Sequence, residues 1–379
     1  MAASFCQNCC HKRRWQADEM PPPKLMNGIG KDHFPISTAS DSAQLFFDQG
    51  IRLSHSYWDF EAYRAFKRAA ELDSMSPMPP LGIAMVYFMS FDTTVIEGKI
   101  QMQKAKQRAA VTPCSQKEKD LVDVWSVFYL SGDPDTLVYG MRMLCAKYPD
   151  DIELQLILAN QLTDAYKDGK PTPEFTSCDS LLEIILKKDP SNFAAHHYYI
   201  HNIEDTPFTE KGLNSAAVIA SLAPNSGHIQ HMPGHIYYHL GDYEAARTAF
   251  MNAKRTDSLY LVTSGIEPVN HWNNMHNHIY LAYADIEQGR YEEAMAAIRY
   301  LQSIETKSER LNYKTEENAR APGIADMYLA LRISDWDKCI ELSSAKVNLF
   351  DKWAVFAPWY RKLLFYYAHS MKAFDNKEL

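Results

Sequence analysis

Long apolar runs, closely spaced cysteines and blocks of basic residues are all scarce in this 379-residue sequence. No apolar run approaches the roughly 18 residues that span a bilayer, and residues 1–10 lack an apolar signal core, so we expect a cytoplasmic protein without a membrane span. The seven cysteines are an odd number and mostly lie far apart, which argues against a disulfide framework. The longest basic run is residues 11–14 and the net charge is −8, which argues against nucleic acid as a partner.

Familiar catalytic motifs are also missing. Gly28 and Gly30 lack the preceding strand and the third glycine that a phosphate-binding loop requires. There is no serine nucleophile motif, and no local pattern marks an isolated cysteine as a nucleophile. Because no second Cys/His pair follows the cysteines of residues 6–10, we interpret that cluster as part of a reduced tail, and not as half of a zinc site.

The remaining composition favours a folded, helical protein. At 46% hydrophobic and 12% aromatic residues, the chain has ample material for a core. Residues 1–40 carry proline and glycine without periodicity, and we predict a flexible N-terminal tail or wrapping arm there. From residue 41 to residue 379, apolar residues recur at three- and four-residue steps, as in 59–72, without alternating strands. We therefore predict an all-α fold over residues 41–379.

The helices follow a repeat. Breaks at Pro190, Pro224 and Ser258 are each 34 residues apart, and between the last two lie Gly234 on a first helix and Phe250 on a second. The sequence here resembles the tetratricopeptide repeat (TPR), a helix–turn–helix unit of that period. The resemblance covers most of residues 43–345. It implies a right-handed α-solenoid of TPR-like helical hairpins, with about seven to nine pairs, a capping helix near 359–374 and a concave groove.

Histidine is concentrated in one part of the repeat region, because ten of the 14 histidines lie between residues 196 and 278. Steps of three and four residues place the histidines at 228, 231, 235 and 239 on one side of a helix. Those at 197 and 201 lie 34 residues before 231 and 235, and the equivalent of 228 in the next repeat is 276. The TPR resemblance implies that this helix face lines the groove. We therefore predict that one wall of the groove carries six imidazoles: His197, His201, His228, His231, His235 and His276.

Two His-x3-His pairs in register are a common metal-binding pattern, so we predict a transition metal site formed by the six histidines. Copper or iron is favoured and zinc is an alternative, because imidazoles suit these metals and thiolates are few. Glu204 and Asp205, one turn beyond His201, are candidate catalytic residues that would act as ligands, as acceptors fixing the histidine tautomers or, for Glu204, as a general base. The number of metal ions stays open between one and two.

The function predicted from this pattern is a metal-dependent enzyme, more readily an oxidoreductase than a hydrolase, with a small-molecule or peptide substrate in the concave groove. A scaffold that binds a peptide or protein partner in the groove is the main alternative, and metal serving structure alone is another. Pro233 adds a complication, since proline is best tolerated in a first helical turn. If the helix begins near Met232, His228 and His231 would lie in the preceding loop.

A narrower resemblance concerns the histidine stretches themselves. Residues 197–201 (HYYIH) and 231–235 (HMPGH) are similar to those of a subgroup of mostly bacterial repeat proteins with HYYIH and HMPxH stretches. No reaction is established for that subgroup. The resemblance therefore implies that these residues act together, and implies nothing about the chemistry they perform.

Overall fold

The computed structural model describes residues 20–90, 96–163, 166–167, 169–304, 325–344 and 357–376. Within these ranges the chain forms 17 α-helices, and its only strands form a hairpin of two residues each, Tyr166–Lys167 paired with Lys170–Pro171. The predicted all-α fold is confirmed. The cysteine cluster of residues 6–10 lies outside the described residues.

The chain divides into two compact units, residues 1–265 and residues 266–379. The single repeat domain predicted for 41–379 stays a prediction. The first unit contains twelve helices in the described ranges: α1 Asp41–His55, α2 Asp59–Leu72, α3 Met78–Ser90, α4 Ile96–Val111, α5 Gln116–Ser131, α6 Pro134–Lys147, α7 Ile152–Leu162, α8 Pro173–Lys188, α9 Phe193–Ile203, α10 Leu213–Leu222, α11 Gly227–His239 and α12 Tyr243–Ser264. The second unit contains α13 Trp272–Glu287, α14 Tyr291–Ser303, α15 over 325–332, α16 Trp336–Ser344 and α17 Ala357–Asp375.

Consecutive helices pack as pairs, and the first helices of neighbouring pairs also pack on one another in the first unit. Contacts join α1 to α3, α3 to α5, α7 to α9 and α9 to α11. A further contact joins α1 to α9, so the first pair of helices also reaches the fifth pair. This long-range contact is important for the site, because it brings the end of α1 against the histidines of α9.

Close approach within a pair depends on glycine facing an aromatic ring. A Cβ atom added at Gly234 on α11 would lie 2.2 Å from the ring of Phe250 on α12, and one at Gly50 on α1 would lie 2.5 Å from Phe66 on α2. Both phenylalanines are almost completely buried. The glycines therefore let the paired helices approach each other, as the repeat pattern predicts, and each phenylalanine ring packs within its own pair.

Helix α11 begins at Gly227 and continues through Pro233, so the expectation of a start near Met232 is wrong. A Cβ atom at Gly227 would lie 1.8 Å from Oδ1 of the buried Asp257, so only glycine lets this carboxylate approach the first turn of α11 so closely. A negative charge stabilises the N-terminus of a helix. This early start places both His228 and His231 on the helix.

Residues 20–40, expected in a flexible tail, form an extended arm that packs on the first unit. Ile29 and Phe34 are each 1% exposed, which explains why the arm is held in place. Side chains also bind its backbone: Gln49 accepts from the Met26 N–H and donates to the Lys24 carbonyl, and Asn225 donates to the Asn27 carbonyl. None of the described helices has the length and apolarity that crossing a bilayer requires.

Candidate functional site

Three histidines from two neighbouring helices converge through their Nε2 atoms. Nε2 of His228 on α11 lies 3.1 Å from Nε2 of His197 and 3.4 Å from Nε2 of His201, both on α9. All three ligand atoms lie within 4.8 Å of one another. Two imidazoles bound to one tetrahedral metal ion with bonds of about 2.0–2.1 Å have nitrogens roughly 3.3 Å apart. The spacing of the three atoms therefore fits one metal ion.

The outer nitrogens of His197 and His201 are held by acceptors. Nδ1 of His197 donates to the backbone carbonyl of His55 over 2.6 Å, and Nδ1 of His201 donates to Oε1 of Glu204 over 2.8 Å. An imidazole that donates from Nδ1 keeps the lone pair of Nε2 available in its neutral form. Both Nε2 lone pairs therefore face Nε2 of His228. Histidines that bind metals are held in the same way, by an acceptor at the other ring nitrogen.

Burial favours the neutral imidazole that a metal ion needs. His197 is fully buried, and burial, followed by the neighbouring His201, lowers the pKa of its imidazole well below the ordinary value. His228 is 1% exposed, whereas the side chain of His201 is 15% exposed. One side of the site is therefore closer to solvent than the other.

Glu204 connects the three-histidine group to a second pair. Its Oε1 accepts from His201, and its Oε2 lies 2.8 Å from Nδ1 of His235 on α11. Burial by itself raises the pKa of the Glu204 carboxyl, but the charges of His235 and His201 and the hydrogen bonds from both hold this pKa well below its ordinary value. Glu204 is therefore an ionised acceptor for two imidazoles, which matches one of the roles predicted for it.

His231 and His235 form a second group beside the first. Their Nε2 atoms are 2.8 Å apart, and because His235 donates from Nδ1 to Glu204, its Nε2 accepts from His231 when both rings are neutral. The ring of His231 stacks on that of His228 with centroids 5.8 Å apart, and the ring of His235 lies 5.8 Å from that of His201. The five predicted histidines of the first unit thus lie together.

The cluster is mostly buried, although its histidines were predicted to line the concave groove. The turn between α1 and α2 covers it, and the ring of Tyr57 contacts the rings of His197, His201 and His228. Behind the cluster, His55 binds the hydroxyl of Tyr198 through Nδ1 and the carboxylate of Glu153 through Nε2. These groups fix the backbone carbonyl that orients His197.

Asp205 lies outside the cluster. The side chain of Asp205 is 82% exposed, and its Oδ1 lies 3.1 Å from Nε2 of His239 at the end of α11, so neither residue joins the cluster. Asp205 follows the end of α9 and its side chain is exposed, and the catalytic role predicted for it stays a prediction. His276 belongs to α13 of the second unit, where its ring packs against Trp272 and Tyr280, and its place in the metal site stays a prediction.

Sequence reasoning missed Tyr57 and the role of His55. Both lie about 140 residues or more before the histidines they contact, so no local spacing indicates the contact. One signal was available for Tyr57. Gly241, at the turn between a pair of helices, follows Gly234 by seven residues. The residue seven positions after the equivalent Gly50 is Tyr57, so a tyrosine stands where the other repeat has a turn glycine.

Comparisons with known proteins add little to this description. No family model matches the chain, and no curated protein matches it. Among solved structures, the human IFIT1 dimer with PPP-AAAA is 12% identical over 87% of this chain and 73% of that one, with a TM-score of 0.48. The APC/C hetero-tetramer Cut9–Hcn1 is 11% identical over 90% and 68%, with a TM-score of 0.39, and MamA AMB-1 is 14% identical over 56% and 98%, with a TM-score of 0.29. At such identities and scores, these likenesses indicate nothing about the function of this chain.

Proposed function

We propose that this protein binds a transition metal ion through the Nε2 atoms of His197, His201 and His228 and acts as a metal-dependent enzyme. The observation that carries the proposal is the convergence of three imidazole nitrogens, with His228 Nε2 3.1 Å from that of His197 and 3.4 Å from that of His201. The rings of His197 and His201 are each held by an acceptor at Nδ1. Three imidazoles leave a coordination position open on a four-coordinate ion, which is typical of catalytic sites.

Copper and iron are the proposed metals, and zinc is the alternative. The donor set consists of nitrogen alone, which suits all three, and the described cysteines are absent from the cluster. A bound copper or iron ion would supply redox chemistry with O2, whereas zinc would supply an activated water. We favour an oxidoreductase acting on a small molecule, and metal analysis decides between these metals.

Residues of the chain itself would manage protons beside the ion. The Nε2 atoms of His231 and His235, 2.8 Å apart, hold one proton between them next to the rings of His228 and His201. Glu204 is fully engaged by His201 and His235, so we assign it to positioning these rings and assign acid–base work to the His231–His235 pair.

Elemental analysis of untagged full-length protein tests the proposal. We expect close to one equivalent of metal per chain, and loss of most of it in a His197→Ala/His228→Ala variant. A matched control is His196→Ala on the same helix, because His196 is also buried but binds Ser215 and the Pro190 carbonyl outside the cluster. Metal content that is sub-stoichiometric in the wild type, or equal in all three proteins, would reject the site.

A second candidate function is a scaffold for an extended peptide, and the arm of residues 20–37 favours it. Its backbone is bound by side chains in the way that a peptide ligand would be: Gln44 donates to the Phe34 carbonyl and Arg52 donates to the Asp32 carbonyl. The buried histidines, in contrast, take no part in this contact. A peptide site on α1 would therefore be independent of the metal site.

A labelled peptide of residues 20–37 tests the second candidate. If the surface is a peptide site that the arm already occupies, an Ile29→Asp variant should release the arm and bind this peptide at least about tenfold more tightly than the wild type does. Fluorescence anisotropy measures the affinity. Equal affinity for both proteins would show that the arm is simply part of the folded core.

A further inference from the structure

Tyr57 adopts a backbone conformation that side chains rarely tolerate. Its φ is 53°, in the left-handed region, and it follows Ser56, the C-cap residue of α1. The turn is closed by hydrogen bonds from the Tyr57 N–H to the Ser54 carbonyl and from the Trp58 N–H to the Leu53 carbonyl. Glycine is the usual residue at this position after a helix, because it has no Cβ to clash.

Other helix pairs of the chain follow the glycine rule. The turn between α11 and α12 has Gly241 with φ of 82°, and the turn between α13 and α14 has Gly289 with φ of 74°. In the turn between α15 and α16 the small residue Ser334 has φ of 58°. The first pair alone among these four places a large aromatic side chain at this strained position. Strain at a bulky residue is typical of a functional site.

The ring of Tyr57 covers one face of the three-histidine group. Its centroid lies 4.6, 5.5 and 5.6 Å from the centroids of His197, His201 and His228. The three imidazole centroids are themselves 4.8, 4.9 and 5.7 Å apart. Since all six distances are similar, the four rings stand at the corners of a nearly regular tetrahedron, with the phenol ring above the triangle of imidazoles.

The phenol is also anchored at its far end. Its hydroxyl donates to Oδ1 of Asn160 on α7 over 2.9 Å, so the ring is fixed by the turn at one end and by this hydrogen bond at the other. The side chain is only partly buried, which places it between the imidazoles and the solvent. A molecule that approaches the group from this face therefore meets the phenol ring first.

On these grounds we infer that Tyr57 determines ligand size at the metal site, admitting molecules of two or three atoms, such as O2 or azide, and excluding ring-sized ligands. This inference rests on the proposed metal site. A ligand that reached the three imidazoles past the fixed phenol ring would have to be slender, because a second ring there would overlap the phenol. Tyr57 is thus a specificity-determining residue and takes no part in holding the ion.

Ligand binding to cobalt-loaded protein tests the inference, since the visible spectrum of Co(II) reports changes in its coordination. The full-length wild type, Tyr57→Gly and Tyr57→Phe are loaded with Co(II), their metal content is measured, and each is titrated with azide and with imidazole. Glycine suits the left-handed turn, and Tyr57→Asn is a second ring-free variant that tolerates it. Phenylalanine keeps the ring and loses only the bond to Asn160.

We expect the wild type to bind azide and to bind imidazole weakly. Both ring-free variants should bind imidazole at least about tenfold more tightly than the wild type, whereas Tyr57→Phe should stay within about twofold of it. Imidazole affinity that is unchanged in fully loaded ring-free variants overturns the inference and leaves the metal site standing. Ring-free variants that fold but no longer hold cobalt also overturn it, because the ring would then be needed for the ligands. A wild type that takes up no cobalt overturns both proposals.

Discussion

Exchange of Glu204 for glutamine should weaken metal binding without unfolding the protein. The carboxylate accepts one hydrogen bond from His201 and approaches Nδ1 of His235, both over 2.8 Å. A glutamine side chain has nearly the same shape, but it offers one acceptor oxygen and one donor NH2 group. It can therefore hold only one of the two imidazoles in the tautomer that presents Nε2 to the cluster, and it turns the other imidazole into an acceptor at Nδ1.

The size of the effect follows from the number of bonds changed. Losing the hydrogen-bond partner of a metal-bound histidine typically weakens metal binding by about 10- to 100-fold. This factor corresponds to about 1.4–2.7 kcal/mol of binding free energy. The glutamine amide can hold either His201 or His235 in the correct orientation. We expect the larger loss of metal affinity if it no longer holds His201, because His201 belongs to the three-nitrogen group.

Competition with a chelator of known affinity measures the loss. Asp205→Asn is the matched control, since this neighbouring carboxylate is 82% exposed and contacts only His239 among the histidines of the first unit. The control should bind metal as the wild type does. If Glu204→Gln and Asp205→Asn both keep wild-type affinity within about twofold, Glu204 does not orient the ligands and the reasoning from its two contacts is wrong.

Three further predictions concern stability. Gly234→Ala should lower the free energy of unfolding in urea by about 1–3 kcal/mol, since its Cβ would lie 2.2 Å from the buried Phe250 ring; unchanged stability would contradict such close packing. Removal of the metal by a chelator should lower the Tm of the wild type. If only the folded state binds the metal, a concentration one hundred times Kd stabilises that state by about 2.7 kcal/mol. An equal response of the His197→Ala variant would argue against the site. The hydrogen bond to Asp205 raises the pKa of His239 above 6.5. His239→Gln should therefore lower the stability below pH 6.5, and the difference from the wild type should disappear as the pH rises through the raised pKa. Urea midpoints that differ equally at acidic and alkaline pH would refute the pairing.

Much of the fold could be predicted from the sequence because its determinants are local. The apolar steps of residues 59–72 coincide with α2, and the glycine–aromatic pair Gly234 and Phe250 packs between α11 and α12 as the repeat pattern indicated. The same 34-residue register placed His197 and His201 beside the histidines of α11. Periodicity determines which side of a helix faces its neighbours, and it therefore predicted these contacts well.

Burial of the site could not be predicted, because it depends on contacts between distant segments. The end of α1 reaches α9 across more than 140 residues, and it brings both Tyr57 and the carbonyl of His55 to the histidines. The extended arm is similar, since Ile29 and Phe34 look like isolated apolar residues in a loop until the helices they cover are known. Helical periodicity does not predict contacts between segments that are far apart in the sequence. At the histidines, the turn at Tyr57 occupies the groove that the repeat pattern predicted.

Burial also separates the two candidate functions. His197 is 0% exposed and lies under the ring of Tyr57, so a peptide on that surface of the first unit cannot contact it without displacing the turn at Tyr57. Five imidazoles in the interior need partners for their nitrogens, and a chain that merely packed them would gain more from apolar residues of similar volume. A cation between the Nε2 atoms of His197, His201 and His228 satisfies three lone pairs together. If this protein also binds a peptide, it must therefore use side chains such as Gln44, Gln49 and Arg52 on α1, and its metal content should be indifferent to substitutions there.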